Sequence, residues 1–203
     1  MAPLRVVDPQ GIYHVMSRGN YRRTIFPDEA HYRRHLFLVQ RVSLRRGWVV
    51  LDWCLMPNHY HLEIQLTDGG LSEGMRELNG CFSRWSNAVH ALTGYGHLVR
   101  NRFKSKHVET DEYALQLARY IARNPVQADL VKEPADWPWS GYRAFAGLEH
   151  PLPFHRPECV LRLFHEDPRR ARRQYRLHVE GGPVSDGLDL WSDHRFDVVE
   201  SPS

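Results

Sequence analysis

From His59 onward, the stretch Met56-Pro57-Asn58-His59-Tyr60-His61-Leu62-Glu63-Ile64-Gln65-Leu66 alternates strictly between polar and apolar residues. That period predicts a strand covered on one face. Successive side chains of a strand point to opposite faces, so His59 and His61 project the same way. Two imidazoles side by side on rigid backbone form half of a metal site. Tyr60, Leu62, Ile64 and Leu66 would face the core, and Pro57-Asn58 supplies the turn. The bland alternative is that a half-exposed strand needs polar residues and two of them happen to be His. Far downstream, Tyr120 and Asn124 stand four residues apart in a segment expected to be helical, so their β-carbons lie about 5–6 Å apart on one face. If that helix crosses the open face of the sheet, the Asn124 carboxamide oxygen meets an ion held by His59 and His61, with the Tyr120 hydroxyl beside it. Glu63 shares the strand face and is either an extra ligand or a solvated strand residue. Tyr113, near the start of the helix, is the rival to Tyr120 but has no amide four residues on; Tyr142 and Tyr175 read as structural.

The elements that must position these groups follow from periodicity and punctuation. Residues 12–17 read as a first strand ending at Arg18-Gly19-Asn20, a turn that keeps Arg18, Arg22 and Arg23 together. Residues 28–46 read as a helix stopped by Gly47. Residues 48–55 form a second strand, paired as a hairpin with the histidine strand. Residues 71–93 form a helix with Leu78, Phe82, Trp85 and Val89 in its apolar stripe, ended by Gly94 and Gly96. Residues 99–108 are expected as a strand with Arg100, Arg102, Lys104 and Lys106 on one face and Phe103 on the other. A cap at Thr110 or Asp111 opens the helix bearing Tyr120, expected to end near Arg123 because Pro125 biases Asn124 away from helical geometry. Strand, helix, strand, strand, helix, strand is the ferredoxin-like α+β arrangement, an antiparallel sheet with two helices on one face. Its other face is left for the extra, catalytic helix. Three divisions are expected: residues 1–150 as the main domain, 151–180 as a basic helical extension, and 181–203 as an acidic, disordered tail. Trp137-Pro138-Trp139 read as packing aromatics.

Composition is that of a globular chain: 203 residues, 42% hydrophobic and 25% charged, long enough to bury a substantial core. No run is apolar enough to span a bilayer and residues 1–10 lack the apolar centre of a signal peptide, which points to the cytoplasm. Cys54, Cys81 and Cys159 are widely spaced without a Cys-x-x-Cys pair, so neither a disulfide framework nor a cysteine zinc site is expected. The net charge is only +3 but uneven: residues 1–50 carry nine Arg against three acids, and residues 156–178 seven Arg against three. Guanidinium forks suit phosphate oxygens. Two Arg-rich blocks flanking a candidate metal site therefore hint at nucleic acid.

Met56-Pro57-Asn58-His59-Tyr60-His61, followed by Tyr120-Ile121-Ala122-Arg123-Asn124-Pro125-Val126-Gln127-Ala128, resembles the single-tyrosine histidine–hydrophobic–histidine transposases, and within them the REP-associated tyrosine transposases. The resemblance runs from about Tyr13 to Tyr142 and includes Arg18-Gly19-Asn20, Phe26 and Trp139-Ser140-Gly141-Tyr142. It implies that His59 and His61 ligate a metal, with Asn124 third; that the metal is Mg²⁺ or Mn²⁺; and that Tyr120 is the nucleophile. It also implies a single-stranded DNA substrate, a hairpin of a palindromic repeat beside a short recognition tetranucleotide, cut and rejoined through a 5′-phosphotyrosine. The expected DNA contacts are Arg18, Asn20, Arg22, Arg23, Arg102, Lys104, Lys106 and Arg123, with Arg169, Arg170, Arg172, Arg173 and Arg176 on the basic helix. Asp129 departs from the family, which usually has Gly there. Whether the protein is a monomer or homodimer stays open. Two rival readings share parts of this pattern: an RRM-like nucleic-acid-binding module, which has the same topology but no use for the His-x-His and Tyr-x-x-x-Asn pairing, and a metal phosphodiesterase that uses water.

Overall fold

The computed structural model describes residues 7–90, 98–99, 103–181 and 197–198. Four strands run in the order expected of a ferredoxin-like α+β fold: β1 (Ile12–Arg18), β2 (Val49–Met56), β3 (His59–Gln65) and β4 (Lys104–His107) lie as β2-β3-β1-β4, all neighbours antiparallel. A two-residue strand, β5 (Asp197–Val198), adds to the β4 edge. The rest of the expected acidic tail lies outside the described residues, as do Arg100, Arg102 and the glycines 94 and 96. Pro57 and Asn58 make the two-residue turn between β2 and β3, with Met56 opposite His59.

Helices α1 (Glu29–Arg46) and α2 (Leu71–Val89) cover one face of the sheet. The Asp28 carboxylate accepts from His31 N–H and satisfies an orphan donor at the start of α1; Gly47, at φ 66°, ends it in the left-handed region that glycine enters without penalty. Against these helices pack Tyr60, Leu62, Ile64, Leu66 and Phe103, all essentially inaccessible, as the alternation predicts. Trp139 stacks on Tyr32 with ring centroids 4.5 Å apart, and Trp137 Nε1 donates to Leu55 O, so both tryptophans are packing residues.

Helix α3 (Asp111–Gln127), capped by Thr110, lies against the second face. It runs past the expected end near Arg123 because Pro125 falls in its last turn, where the chain is about to leave the helix; Asn124 O still accepts from Ala128 N, and Asp129 at φ 54° turns the chain away. The expected fourth strand is shorter than residues 99–108: the ladder covers only Lys104–His107, while Val99 makes a lone bridge to Gly19. Beyond α4 (Tyr142–Phe145) and α5 (Pro157–Leu161), α6 (Pro168–Glu180) buries Ala171, Tyr175 and Val179 in a cluster shared with Leu51 of β2 and Ala118 and Ala122 of α3. Arg119 donates to His178 O, and Arg123 Nη1 to Val179 O at 3.1 Å, tying α6 to α3.

Candidate metal and nucleophile site

Because α3 seals the second sheet face, the histidine strand is not half-exposed as its alternation implies. His61 and Glu63 are each only 1% exposed. The residues on that face come from three strands in register: Arg18 opposite His59, Met16 opposite His61, His14 opposite Glu63, and Asp52 opposite Glu63 on the other side.

Asn124 and His59 meet as the spacing predicts: Asn124 Oδ1 is 3.2 Å from His59 Nε2. Asn58 Oδ1 lies 2.7 Å from the other ring nitrogen of His59, so in the neutral ring it accepts a hydrogen bond from Nδ1–H and leaves the Nε2 lone pair facing Asn124. The two strand histidines stand 5.0 Å apart, centroid to centroid and edge to face. Tyr120, one turn before Asn124, sets its ring edge-on to His61 at 5.4 Å and to His14 at 6.0 Å. Nucleophile candidate and ligand candidates thus share one water-poor corner between β3 and α3.

Burial drives the electrostatics. It lowers the His59 pKa to about 4, opposed by the hydrogen bond that the protonated ring donates to Asn124 Oδ1 and helped by the charge of Arg18. His61 is pushed well below its usual value by burial and then by His59, His14 and Arg18. Neutral imidazoles are the form that ligates a metal. Glu63 is raised to about 8 by burial alone, and Asp52 goes up by burial and by Glu63. Tyr113 is pushed up by burial, then by Glu63 and Tyr120. Its hydroxyl is buried with no hydrogen-bond partner among the described residues, and Lys106 Nζ lies 4.4 Å from its ring centre. A hydroxyl sealed this way is a poor nucleophile, which leaves Tyr120 as the better placed of the two.

Two imidazole nitrogens and a carboxamide oxygen make a mixed N,N,O donor set suited to a borderline divalent cation such as Mn²⁺, and to Mg²⁺ less well on softness. No three His, Cys, Asp or Glu among the described residues cluster as a metal site; with Asn124 the donors would be two imidazoles and a carboxamide. The donors present fit the implied cofactor.

Sequence reasoning did not single out His14. Its Nε2 lies 3.0 Å from His61 Nδ1, with the rings stacked at 5.2 Å. The available signal was its place two and four residues before Met16 and Arg18, on the strand face that proves to adjoin the site. Of the expected DNA contacts, Arg18 lies beside His59, Arg22 and Arg23 are exposed in the loop after β1, and Lys104 and Lys106 stand on β4 opposite Met16 and His14. Arg123 donates to Val179 O of α6. Arg169, Arg172, Arg173 and Arg176 line a groove of about 490 Å³ with Gly147, while Arg170 is exposed on α6.

A family model described as "Transposase IS200 like" matches residues 9–124, more than half of the chain, ending on Asn124. Among solved structures, the chain is similar to a REP-associated tyrosine transposase bound to a REP hairpin, with a TM-score of 0.62 at 21% identity over 76% of this chain and 90% of that one. At that identity the likeness concerns the fold. A candidate transposase from Deinococcus radiodurans R1 matches with a TM-score of 0.43 and 19% identity over 60% of this chain and 95% of that one, too partial to argue from. No curated protein matches.

Proposed function

This chain belongs to the IS200-like transposase family, and from that premise we propose that it is a cytoplasmic, metal-dependent single-stranded DNA nickase and strand transferase of the REP-associated kind. It cuts and rejoins DNA beside palindromic hairpin repeats, with Tyr120 as nucleophile. The observation that carries the reading is the meeting of Asn124 Oδ1 with His59 Nε2 at 3.2 Å, one helical turn from a tyrosine set edge-on against His61.

His59, His61 and Asn124 would hold Mg²⁺ or Mn²⁺, which when bound supplies Lewis-acid polarisation of the scissile phosphate. Everything else falls to the chain. A phenol with pKa near 10 is ionised only about one part in a thousand at neutral pH, so attack depends on position. The edge-to-face seat of Tyr120 on His14 and His61 fixes that position. The Tyr120 oxygen forms a bond to phosphorus as the phosphorus–O3′ bond breaks; the phenol gives up its proton and the departing 3′-oxygen takes one. The 5′-phosphotyrosine keeps the phosphodiester energy, so rejoining to a 3′-hydroxyl needs no ATP. Arg18, beside His59, is placed to attract the phosphate, and the α6 guanidiniums to meet the DNA backbone.

A hairpin oligonucleotide labelled downstream of the nick tests this. Label should stay on the protein through denaturing electrophoresis, map to Tyr120, and vanish with excess EDTA. Cutting without an adduct would transfer the reaction to water and make the protein a phosphodiesterase.

A further inference from the structure

Tyr21 is 90% exposed, whereas Tyr13, Tyr32, Tyr60, Tyr142 and Tyr175 are buried in the core. It sits in the loop after β1 at φ 53°, and Arg22 follows at φ 60°. Two consecutive residues other than glycine in the left-handed region are uncommon, and bulky side chains seldom settle there.

The loop is held firmly. Gly19 N donates to Asn58 O at 2.9 Å, Ile25 N to Pro57 O at 2.7 Å, and Asn58 Nδ2 to Arg22 O at 3.5 Å. Its anchor is therefore the same Pro57-Asn58 turn that launches His59. Arg18, three residues before Tyr21, pairs directly with His59, so the chain keeps Tyr21 within about 11 Å of that pairing. Exposed Arg22 and Arg23 follow it directly.

An aromatic ring on a rigid loop, among guanidiniums and beside a candidate phosphoryl-transfer site, is built as a stacking platform for single-stranded nucleic acid. We propose that Tyr21 stacks on an unpaired nucleobase of the single strand flanking the hairpin, close to the scissile phosphate. This rests on the transposase reading and adds to it a recognition residue that takes no part in the chemistry.

Two probes separate the possibilities: a GC-rich stem-loop with a short single-stranded flank of mixed sequence, and the same stem-loop blunt-ended. Asparagine tolerates the left-handed conformation, so Tyr21→Asn should melt no lower than the wild type. In fluorescence anisotropy, Tyr21→Asn should weaken binding of the flanked probe roughly 5- to 150-fold, the range for one lost base–aromatic stack, and leave the blunt probe unchanged. Tyr21→Phe keeps the ring and should bind both as the wild type does. 2-Aminopurine walked along the flank should be quenched at one position by wild type and not by Tyr21→Asn. Unchanged affinity for the flanked probe, or equal loss on both probes, would overturn the stacking role while leaving the transposase reading standing. Failure of the wild type to bind either probe would remove that reading and this inference with it.

Discussion

Along β3, Tyr60, Leu62 and Ile64 face α1 and α2, while His61 and Glu63, one residue out of phase, face α3; none of the five is more than 1% exposed. Over these five residues the two faces are equally dry and differ only in chemistry, though His59 and Gln65 at the ends of the polar face are half-buried. On the first, buried apolar surface stabilises at roughly 25 cal/mol per Å². On the second, His14, Asp52, His61 and Glu63 are removed from water, and both Glu63 oxygens and Asp52 Oδ2 have no hydrogen-bond partner among the described residues. Such burial opposes folding. A sheet that supports a dry polar face on the strength of its apolar one has that face for a reason other than stability.

The sharpest way to break this contrast is to delete one oxygen from each face. Tyr120→Phe should abolish covalent attachment to DNA while leaving the melting temperature and hairpin binding in place. Tyr60→Phe removes the hydroxyl that donates to Asn79 Oδ1 at 2.6 Å, and should lower stability by about 1–3 kcal/mol while the adduct still forms. Denaturing gels and thermal melts on the two variants would read both effects. If Tyr60→Phe lost the adduct at a temperature where it is folded, the division of labour would be wrong.

Next in size is the support of the proposed metal ligands. To ligate through Nε2, His61 must carry its proton on Nδ1 and donate it to His14 Nε2, 3.0 Å away. His14→Phe keeps the ring contact and loses the acceptor. Outer-shell losses of this type cost about 10- to 100-fold in metal affinity. Mn²⁺ titration followed by electron paramagnetic resonance should show that drop, and raised Mn²⁺ should restore the adduct. Affinity within twofold of wild type would reduce His14 to packing.

How far these groups were legible in the sequence differs by face. On β3 the apolar side was read correctly, since alternation reports burial of apolar groups directly, but Val89, expected in the apolar stripe of α2, is 56% exposed at the last residue of that helix. On the polar face the same alternation was taken for exposure of one side, because His59, His61 and Glu63 look alike to a periodicity argument whether water or α3 covers them. The four-residue spacing of Tyr120 and Asn124 did place the pair against the histidines, since helix geometry is local. His14 escaped because its partnership is diagonal across β1 and β3 and has no spacing of its own. Pro125 misled because its effect on a helix depends on how many turns follow it, and here the helix is about to end.

Two buried groups, one on each face, should also answer pH in opposite directions, measured in chelator to keep metal out. His35, wedged among Phe26, Tyr60 and Phe82, is lowered by burial to about 3 from 6.5. Between those values the unfolded chain binds a proton that the folded one refuses, so this contribution is full above pH 6.5 and fades as pH falls. Glu63, at about 8 against 4.5, does the reverse: the folded state keeps the proton, so its contribution is full below pH 4.5 and is lost as pH rises through 8. Each limb has a slope of about 1.4 kcal/mol per pH unit. Urea melts of His35→Phe should flatten the acid limb, and those of Glu63→Gln the alkaline one. A matching change on the wrong limb would mean that burial is not the dominant cause.

The smallest difference lies where the helices of the two faces end. On the apolar side α1 stops at Gly47, φ 66°; on the polar side the chain leaves α3 through Asp129, φ 54°. The resemblance to REP-associated transposases has glycine at that second position, and the backbone explains why: a left-handed exit suits a residue without Cβ, and aspartate only tolerates it. Its charge also sits near a helix C-terminus, where the dipole disfavours an anion. Asp129→Gly should therefore stabilise by about 0.5–1 kcal/mol, a rise of roughly 1–4 °C in a protein of this size. Asp129→Asn divides the two causes, because it removes the charge while keeping a Cβ in the same conformation. If asparagine yields the whole gain, the charge was the burden; if glycine exceeds it, the backbone was. Salt then gives a second discriminant, since the charge share should fade with ionic strength and the backbone share should not.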